Sequence, residues 1–439
     1  MKKYFKILLI TICLFIAIII IINTSLFDEE LNPEIVKIMQ DKPLPKVKGN
    51  AYYFLMGMNA ISNKNEIDTG WSLIERYQQN REQGNDSLDD SDYKELLGVE
   101  NDIDQQWLDQ YQHCDTHRNE NCLLKLSHLL KTQPVNNSRL KLMLNRFDEI
   151  LNLLQFDNYK DISYGTPTPR YILLLRLGNI KKAQLYNSAN ITEFLLQINK
   201  EIKFLKLILR DGDMILDKMV AQANIRNNLH YLSSYLQQNQ PIEEHVAIIK
   251  SILAPLTREE LDISNSYISE SRTTFKEIYT IKPLDLGFYY FMHQNNAYNN
   301  LLYKYFTKPF VALSKMKSDK LYKAIKNGYI VSLNNEKEAL LSYNPKNLYN
   351  FSGKADMANN FCIKCWDYAV RVHDLDNIIN LVKLQFELKL LQPQNIQQAI
   401  FNSAIKNNYT NQPFDFDEKQ NIIKFECLDV NYLNCMVEL

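Results

Sequence analysis

The chain has 439 residues, with 50 basic and 51 acidic side chains and a formal net charge of −1. This balance gives no reason to expect nucleic-acid binding, which calls for a concentrated positive charge. Glycine (11 residues) and proline (13) are scarce, so few tight turns can form, and many-stranded sheets and dinucleotide-binding folds are disfavoured. Long runs of Leu, Ile, Lys, Asn, Gln and Glu favour helices. The sequence therefore predicts a mostly α fold.

The N-terminal stretch is apolar and is flanked by charges of opposite sign. Ile7 to Ile22 contains no charged residue, and as a helix it rises about 24 Å, close to the ~30 Å thickness of a bilayer core. Three lysines precede this run and three carboxylates follow it: Lys2, Lys3 and Lys6, then Asp28, Glu29 and Glu30. The asymmetry predicts a single-pass inner-membrane anchor, with the lipid bilayer contacted by residues 7–22, a cytoplasmic N-terminus and a periplasmic body. A cleaved signal peptide is the alternative, but residues 23–27 offer no small-residue cleavage pattern.

A linker and an acidic stretch follow the apolar run. Residues 24–50 are predicted as a juxtamembrane linker, with a short helix over 33–40 and prolines that break helix beyond it. The apolar patch at 51–61 must be buried or docked, and a helix is predicted over 66–83. Residues 85–109 carry nine carboxylates and a single lysine. Because they lack the spacing of a calcium-binding loop, they indicate a solvated acidic loop.

Six cysteines lie outside the apolar run, and an even number in an exported chain indicates disulfides. Cys114 and Cys122 enclose a polar loop and are the strongest candidate pair, while Cys427 and Cys435 have a similar short spacing. The Cys-x-x-Cys motif at 362–365 has no neighbouring strand and no second such motif. A structural role is therefore favoured there over a redox or metal site. The spacing leaves the connectivity open.

Two histidines lie in or beside the first cysteine loop. His113 and His117 are four residues apart, and with Cys114 and Cys122 they could complete a zinc site of two histidines and two cysteines. The short cysteine span in an oxidising compartment favours the disulfide instead. We therefore expect no metal and no other cofactor.

Helical patterning dominates the middle of the chain. Asn190 with Glu193 three residues later marks a helix start, and the apolar stripe that follows predicts one helix running to Ala223 and beyond. Thr257 with Glu260 is a second capping box, which predicts a helix towards Ser271. Other helices are predicted at 121–132, 136–154, 171–186, 319–327, 355–373, 374–391 and 394–406.

The C-terminal segment has the pattern of a β-hairpin. Phe414 and Phe416 alternate with acidic residues, and apolar residues recur after a polar turn, which predicts strands near 414–417 and 421–427. The predicted fold is mostly α: an N-terminal transmembrane helix, an irregular, solenoid-like multi-helical body and a small C-terminal β-hairpin. The predicted division is an anchor (1–23), a linker (24–50), an N-terminal helical region with the cysteine loop (51–165), a main helical domain (166–407) and a C-terminal hairpin and tail (408–439).

Three stretches carry a resemblance to a known family. They are Asn50-Ala-Tyr-Tyr-Phe-Leu-Met-Gly-Met-Asn-Ala, the Cys114–Cys122 loop with the Leu-Leu after it, and Val372 to Val382 together with Asn408-Tyr-Thr-Asn-Gln-Pro-Phe-Asp-Phe-Asp. The chain resembles a family of membrane-anchored, mostly helical envelope proteins of Gram-negative bacteria. Asn411 stands where the closing motif of that family has glycine, so the turn differs. The resemblance implies an anchored helical protein and carries over no activity.

The sequence lacks the signatures of the common enzyme classes. It has no nucleophile elbow, no phosphate-binding glycine loop and no zinc-protease motif. His373 and Asp374 are weak candidates for an acid–base pair, because an imidazole beside a carboxylate can transfer protons if it faces a cleft. The favoured function is an interaction or scaffold protein of the cell envelope, with an envelope protein as its partner and no nucleic acid. The alternative is an envelope-acting, hydrolase-like enzyme.

Overall fold

A computed structural model of the chain describes residues 2–23, 28–40, 45–98, 122–133, 135–159, 163, 165–278, 295–342, 349–350, 353–355, 357, 363–429 and 435–439. The chain divides into two compact units. The first unit comprises Met1–Lys42, Ser264–Met316 and Lys320–Trp366. The second unit comprises Pro43–Ile263, Lys317–Asp319 and Asp367–Leu439. The mostly helical prediction is confirmed.

The first unit contains helices only, among its described residues. They are α1 (Lys2–Ile22), α2 (Pro33–Met39), α13 (Ser264–Ile278), α14 (Asn295–Leu302), a π-turn (Tyr303–Thr307), α15 (Lys308–Ser314), most of α16 (Ser318–Lys326), α17 (Tyr329–Glu338) and two 3-10 turns (Ala339–Leu341 and Ile363–Trp366). Helix α1 is long and apolar enough to cross a membrane, with a mean hydropathy of 3.2 and none of its apolar window buried.

The segment after α1 is held by side chains and amides of α13 and α14. Asp28 accepts hydrogen bonds from the amides of Asn296 and Ala297 at 2.9 and 3.0 Å. A carboxylate is favoured there because the first amides of a helix lack partners within the helix. Arg272 of α13 donates to the carbonyl of Ile38 at 2.6 Å. The residues that follow the apolar helix are therefore part of the folded first unit.

The second unit is built from longer helices and a small sheet. Its described helices are α3 (Ala51–Gly57), α4 (Glu66–Glu82), α5 (Asp90–Leu97), α6 (Cys122–Thr132), α7 (Ser138–Ile150), α8 (Ile172–Asn187), α9 (Ile191–Asp211), α10 (Ile215–Gln238), α11 (Glu243–Ile252), α12 (Arg258–Leu261), α18 (Asp367–Leu391) and α19 (Ile396–Asn402). Helix α9 packs against α8, α10 and α11, and α10 packs against α18. Helices α10 and α18 are buried along most of their length, and their buried residues include polar as well as apolar side chains.

The single long helix predicted from Asn190 onward is wrong, because the chain turns between α9 and α10. Asp217 caps the new helix by accepting from the amide of Met214 at 3.0 Å. Lys218 donates to the carbonyls of Leu209 and Arg210, which lie at the end of α9 and lack helical partners. The break between α9 and α10 is therefore stabilised by the side chains of Asp217 and Lys218, in the first turn of α10.

Two other predicted boundaries also differ. The helix expected from Thr257 to Ser271 is interrupted at Asp262 and at the buried Ile263, so that it forms α12 and the start of α13. The boundary expected between residues 373 and 374 does not exist, since α18 runs through it without a break. The residues on both sides of the expected boundary are buried, so packing inside the protein supports a continuous helix there.

The C-terminal strands form a three-stranded antiparallel sheet in the order β1 (Asp415–Asp417), β2 (Ile422–Lys424) and β3 (Met436–Glu438). The predicted hairpin is confirmed as β1 and β2, while the third strand was not predicted. Phe416, Ile423 and Val437 lie in register across the sheet. Asn421 has a φ of +54° at the turn, a conformation that asparagine tolerates better than most residues.

Candidate functional site

Helix α18 places the two residues that the sequence singled out, His373 and Asp374, in the interior of the second unit. The carboxylate of Asp374 accepts from the Tyr409 hydroxyl at 2.7 Å and from the amides of Leu428 and Asp429, both at 3.1 Å. The side chain is 3% exposed. Burial raises the pKa of Asp374, and the donated hydrogen bonds oppose that rise. All of its contacts join α18 to the segment after residue 407.

His373 is fully buried, at 0% exposure. Its Nδ1 lies 2.8 Å from the Ser318 hydroxyl, and Nε2 has no hydrogen-bond partner among the residues that the structure describes. Burial lowers the pKa of His373 to about 4, because an imidazolium without solvent or a counter-charge is unfavourable. At neutral pH the ring is therefore uncharged. A general base needs access to a substrate proton, and burial denies His373 that access in this conformation.

Asp376 and Asn377 extend the same face of α18. Asp376 accepts from the amide of Leu256 at 2.9 Å and from the Asn408 side chain at 2.6 Å. Asn377 accepts from the amide of Asn408 at 2.7 Å. Together with Asp374, these side chains accept hydrogen bonds from backbone amides that have no partner in a helix or a sheet. Buried amides require such an acceptor.

The tail contacts continue along both ends of α18. Arg371 forms a 2.6 Å ion pair with Asp429, and Gln385 donates to the carbonyl of Glu438 at 2.7 Å. The cluster therefore docks the C-terminal segment. The hydrogen bonds of the cluster are made inside the protein, while Nδ2 of Asn377 and Oε1 of Gln385 are buried without a hydrogen-bond partner among the described residues. These contacts support a structural role for the cluster. Sequence reasoning singled out Asp374 but missed Asn377, although the spacing of three residues on one helix face was a signal for a shared contact.

The C-terminal cysteines are joined. Cys427 and Cys435, two candidates whose connectivity the spacing left open, form a disulfide. A carboxylate oxygen of Asp374 lies within 4.8 Å of both sulfur atoms, but sulfur atoms bonded to each other are not thiolate ligands for a metal. Cys122 and Cys365 each also take part in a disulfide, with partners outside the described residues. The other predicted residues of the first cysteine loop, His113, Cys114 and His117, lie outside the described residues, as does Cys362.

Two other buried charged clusters were not predicted. Lys182 of α8 pairs with Glu201 of α9 at 1% and 5% exposure of their side chains, and Gln197 donates to Glu201 at 3.1 Å. Asp217 accepts from Tyr171, and from Asn158 at 2.8 Å. The sequence held one signal for the first cluster, because Gln197 and Glu201 interrupt the apolar stripe of α9 four residues apart.

Both clusters join helices and do not open to solvent. Burial lowers the pKa of Lys182 while Glu201 opposes that shift, and burial raises the pKa of Asp217. Gly178 lies where an added Cβ would come within 2.9 Å of Glu201 Oε2 and 3.1 Å of Lys182 Nζ. The glycine of α8 therefore gives the ion pair its space.

The chain matches no family model, no curated protein and no solved structure. Its resemblance to anchored envelope proteins accordingly stays a prediction.

Proposed function

We propose that the chain is a single-pass, membrane-anchored envelope protein whose helical body serves as an interaction scaffold. The observation that carries the proposal is α1, whose 21 residues are apolar beyond the first lysines and are exposed along the helix. Exposure of so many isoleucine and leucine side chains to water is unfavourable by about 25 cal/mol per Å². A bilayer removes that cost, and the length of the helix matches the ~30 Å core.

The proposed topology has the N-terminus in the cytoplasm, α1 in the inner membrane and the body in the periplasm. The lysines before the apolar run and the carboxylates after it support this orientation. The disulfide between Cys427 and Cys435 supports an oxidising compartment for the body. The resemblance to anchored envelope proteins of Gram-negative bacteria is part of the same proposal.

Two features support a scaffold. Helices α8, α9, α10 and α11 follow one another in the chain, and α9 packs against the other three. Packing between helices that are close in the chain supports the proposal of a solenoid-like body. The acid–base candidates His373 and Asp374 are used in internal contacts. A helical body of this kind offers extended surfaces to a partner, which we propose is another envelope protein.

The anchor is tested by fractionation of cells that express the full chain. We expect the wild-type protein to stay in the membrane pellet after alkaline carbonate extraction. Replacing Leu14 and Ile16 with lysine should release it, because each lysine at the centre of a spanning helix costs about 3 kcal/mol. The control places lysine at Leu154 and Phe401, which are 88% and 67% exposed in the second unit, and it should remain in the pellet. Release of the wild-type chain would contradict the anchor.

Topology and partner are tested separately. A C-terminal alkaline phosphatase fusion should be active and a fluorescent reporter that folds only in the cytoplasm should be dark; the reverse result would contradict a periplasmic body. Crosslinking in intact cells, followed by mass spectrometry, should recover the same envelope protein with wild type and with the control variant that carries lysine at Leu154 and Phe401. Turnover of an envelope substrate by the purified chain would favour the enzyme alternative.

A further inference from the structure

The segment that leaves α1 lies against α14 of the first unit. Asn23, directly after α1, accepts a hydrogen bond from the amide of Asn350 at 2.7 Å. Asn300 of α14 accepts from the amide of Asn32 at 3.0 Å and donates to the Glu29 carboxylate at 3.1 Å. Asp28 is the sixth residue after Ile22, which limits the distance between the two to about 20 Å. If α1 spans a bilayer, α14 and the π-turn after it lie close to the surface of that bilayer.

The chain just beyond α14 is strongly basic. Residues 304–326 hold seven lysines and a single carboxylate, Asp319. Five of the lysines belong to the first unit, are exposed, and have no ion-pair partner among the described residues; we call them the lysine surface: Lys304, Lys308, Lys315, Lys320 and Lys323. Lys304, Lys308 and Lys315 are spaced four and seven residues apart, so they lie along one side of the helical run. A row of unneutralised ammonium groups indicates an anionic partner.

A cavity of about 550 Å³ lies where the lysine surface meets the segment after α1. It is lined by Glu30, Leu31, Asn32, Pro33, Asn300, Tyr303, Lys304 and Lys308. Two ammonium groups, a phenol and an amide are donors suited to phosphate oxygens. Of the carboxylates next to α1, Asp28 is engaged by backbone amides and Glu29 by Asn300. Glu30 is therefore the carboxylate that lines the cavity, and its single negative charge is outnumbered by the positive charges of Lys304 and Lys308.

We propose that the lysine surface binds anionic phospholipid of the bilayer that holds α1, with one phosphate headgroup seated in the cavity beside Lys304 and Lys308. The inference rests on the proposed membrane anchoring. The short connection between α1 and the cavity argues for lipid as the occupant, because it keeps the cavity near headgroups at high local concentration. Exposed lysines near an anionic membrane each strengthen binding about fivefold, so the surface fixes the first unit against the bilayer.

The test is amine footprinting of the full chain in lipid nanodiscs. Discs of phosphatidylcholine alone are compared with discs that also contain phosphatidylglycerol, and acetylation of each lysine is followed by mass spectrometry. We expect acetylation of Lys304 and Lys308 to slow about fivefold or more in the anionic discs. The protection should disappear at high salt, where charges are screened. Lys200, Lys203 and Lys250 are exposed lysines of the second unit and should react equally in both discs.

A charge-matched pair of variants tests the same inference without footprinting. One variant carries glutamine at all five positions of the lysine surface. Its control carries glutamine at five exposed lysines of the second unit: Lys141, Lys200, Lys203, Lys250 and Lys419. After purification from discs of mixed lipid, the first variant should retain at least about tenfold less phosphatidylglycerol than the control. Equal retention by the two variants would overturn the inference.

The outcomes separate the inference from the anchor on which it depends. A chain that does not co-elute with either disc overturns the membrane anchor and the inference together. A chain that co-elutes but shows equal acetylation in both discs overturns the inference alone. Protection of Lys304 and Lys308 by inorganic phosphate in neutral discs would show a soluble phosphate site and would overturn binding of lipid.

Discussion

Tyr409 donates a hydrogen bond of 2.7 Å to the carboxylate of Asp374, and both side chains are buried. The contact joins the middle of α18 to the segment that leads into the sheet. Burial raises the pKa of Tyr409 well above its ordinary value, so the phenol keeps its proton and remains a donor. Asp374, one of the two weak catalytic candidates in the sequence, therefore contributes to holding the C-terminal segment in place.

Replacing Asp374 with asparagine should destabilise the second unit by about 2–4 kcal/mol. The new amide would turn a donor towards Tyr409 or towards the amides of Leu428 and Asp429, which need an acceptor. Chemical denaturation measures the loss, and hydrogen exchange at residues 428 and 429 should rise. Asp415→Asn, at an exposed position, is the control and should leave both measurements unchanged. Unaltered exchange in the Asp374 variant would contradict the docking role.

The buried imidazole of His373 should make stability depend on pH. Its pKa is lowered to about 4 in the folded protein, whereas in the unfolded chain it is about 6.5. The unfolded state therefore binds the proton first. The stabilisation is fully present above pH ~6.5 and is lost as the pH falls towards ~4. The shift corresponds to about 3 kcal/mol.

The measurement for His373 is the free energy of unfolding at several pH values. His373→Gln cannot titrate, so the difference between wild type and variant should fall by about 3 kcal/mol between pH ~7 and ~4. The raised pKa values of Asp374 and Asp376 favour stability at low pH, and both remain in the variant, so the difference largely removes their opposite contribution. A difference that is constant with pH would contradict the burial of a neutral ring.

The ion pair of Lys182 and Glu201 should respond differently to single and double replacement. Lys182→Met leaves a buried carboxylate without its cation and should cost about 3–5 kcal/mol, whereas Lys182→Met with Glu201→Leu should cost far less. Denaturation of the two single variants and the double variant forms a cycle that isolates the coupling. Lys181→Met, whose partner Asp148 is 41% exposed, is the control and should cost about 1 kcal/mol or less. A loss in the double variant equal to the sum of the two single losses would show that the pair is not coupled.

Removal of the disulfide between Cys427 and Cys435 should destabilise the C-terminal sheet. The bond spans a sequence separation of 8, and closing a loop of that size contributes about 2–3 kcal/mol. A Cys427→Ser, Cys435→Ser double variant should show that loss in denaturation. Added reductant should cause a larger loss in wild type than in the variant, which keeps the disulfides of Cys122 and Cys365. Cys13→Ser, which removes an exposed free cysteine of α1, serves as the control. A reductant effect of equal size in the double variant would assign the loss to another disulfide.

Local signals in the sequence determined the apolar helix, most helix positions and the C-terminal hairpin. Each depends on residues that are near one another in the chain: an uninterrupted apolar run, capping residues and alternation. The cysteine spacing named Cys427 and Cys435 as candidates, and the structure shows that they are joined. Helix α4, predicted over 66–83 and found at Glu66–Glu82, is typical of this class. Its N-cap, Asn65, lies beside the residues that it caps.

Features that depend on contacts between residues distant in the chain became visible only in the tertiary structure. The break between α9 and α10 depends on Lys218 reaching carbonyls at the end of α9, and the placement of Asp28 depends on amides 268 and 269 residues away. The burial of His373 and Asp374 is also visible only in the tertiary structure, and the same side chains can transfer protons in a cleft or hold amides in a core. A helical pattern reports which face of a segment is apolar, but the segment that covers that face comes from elsewhere in the chain.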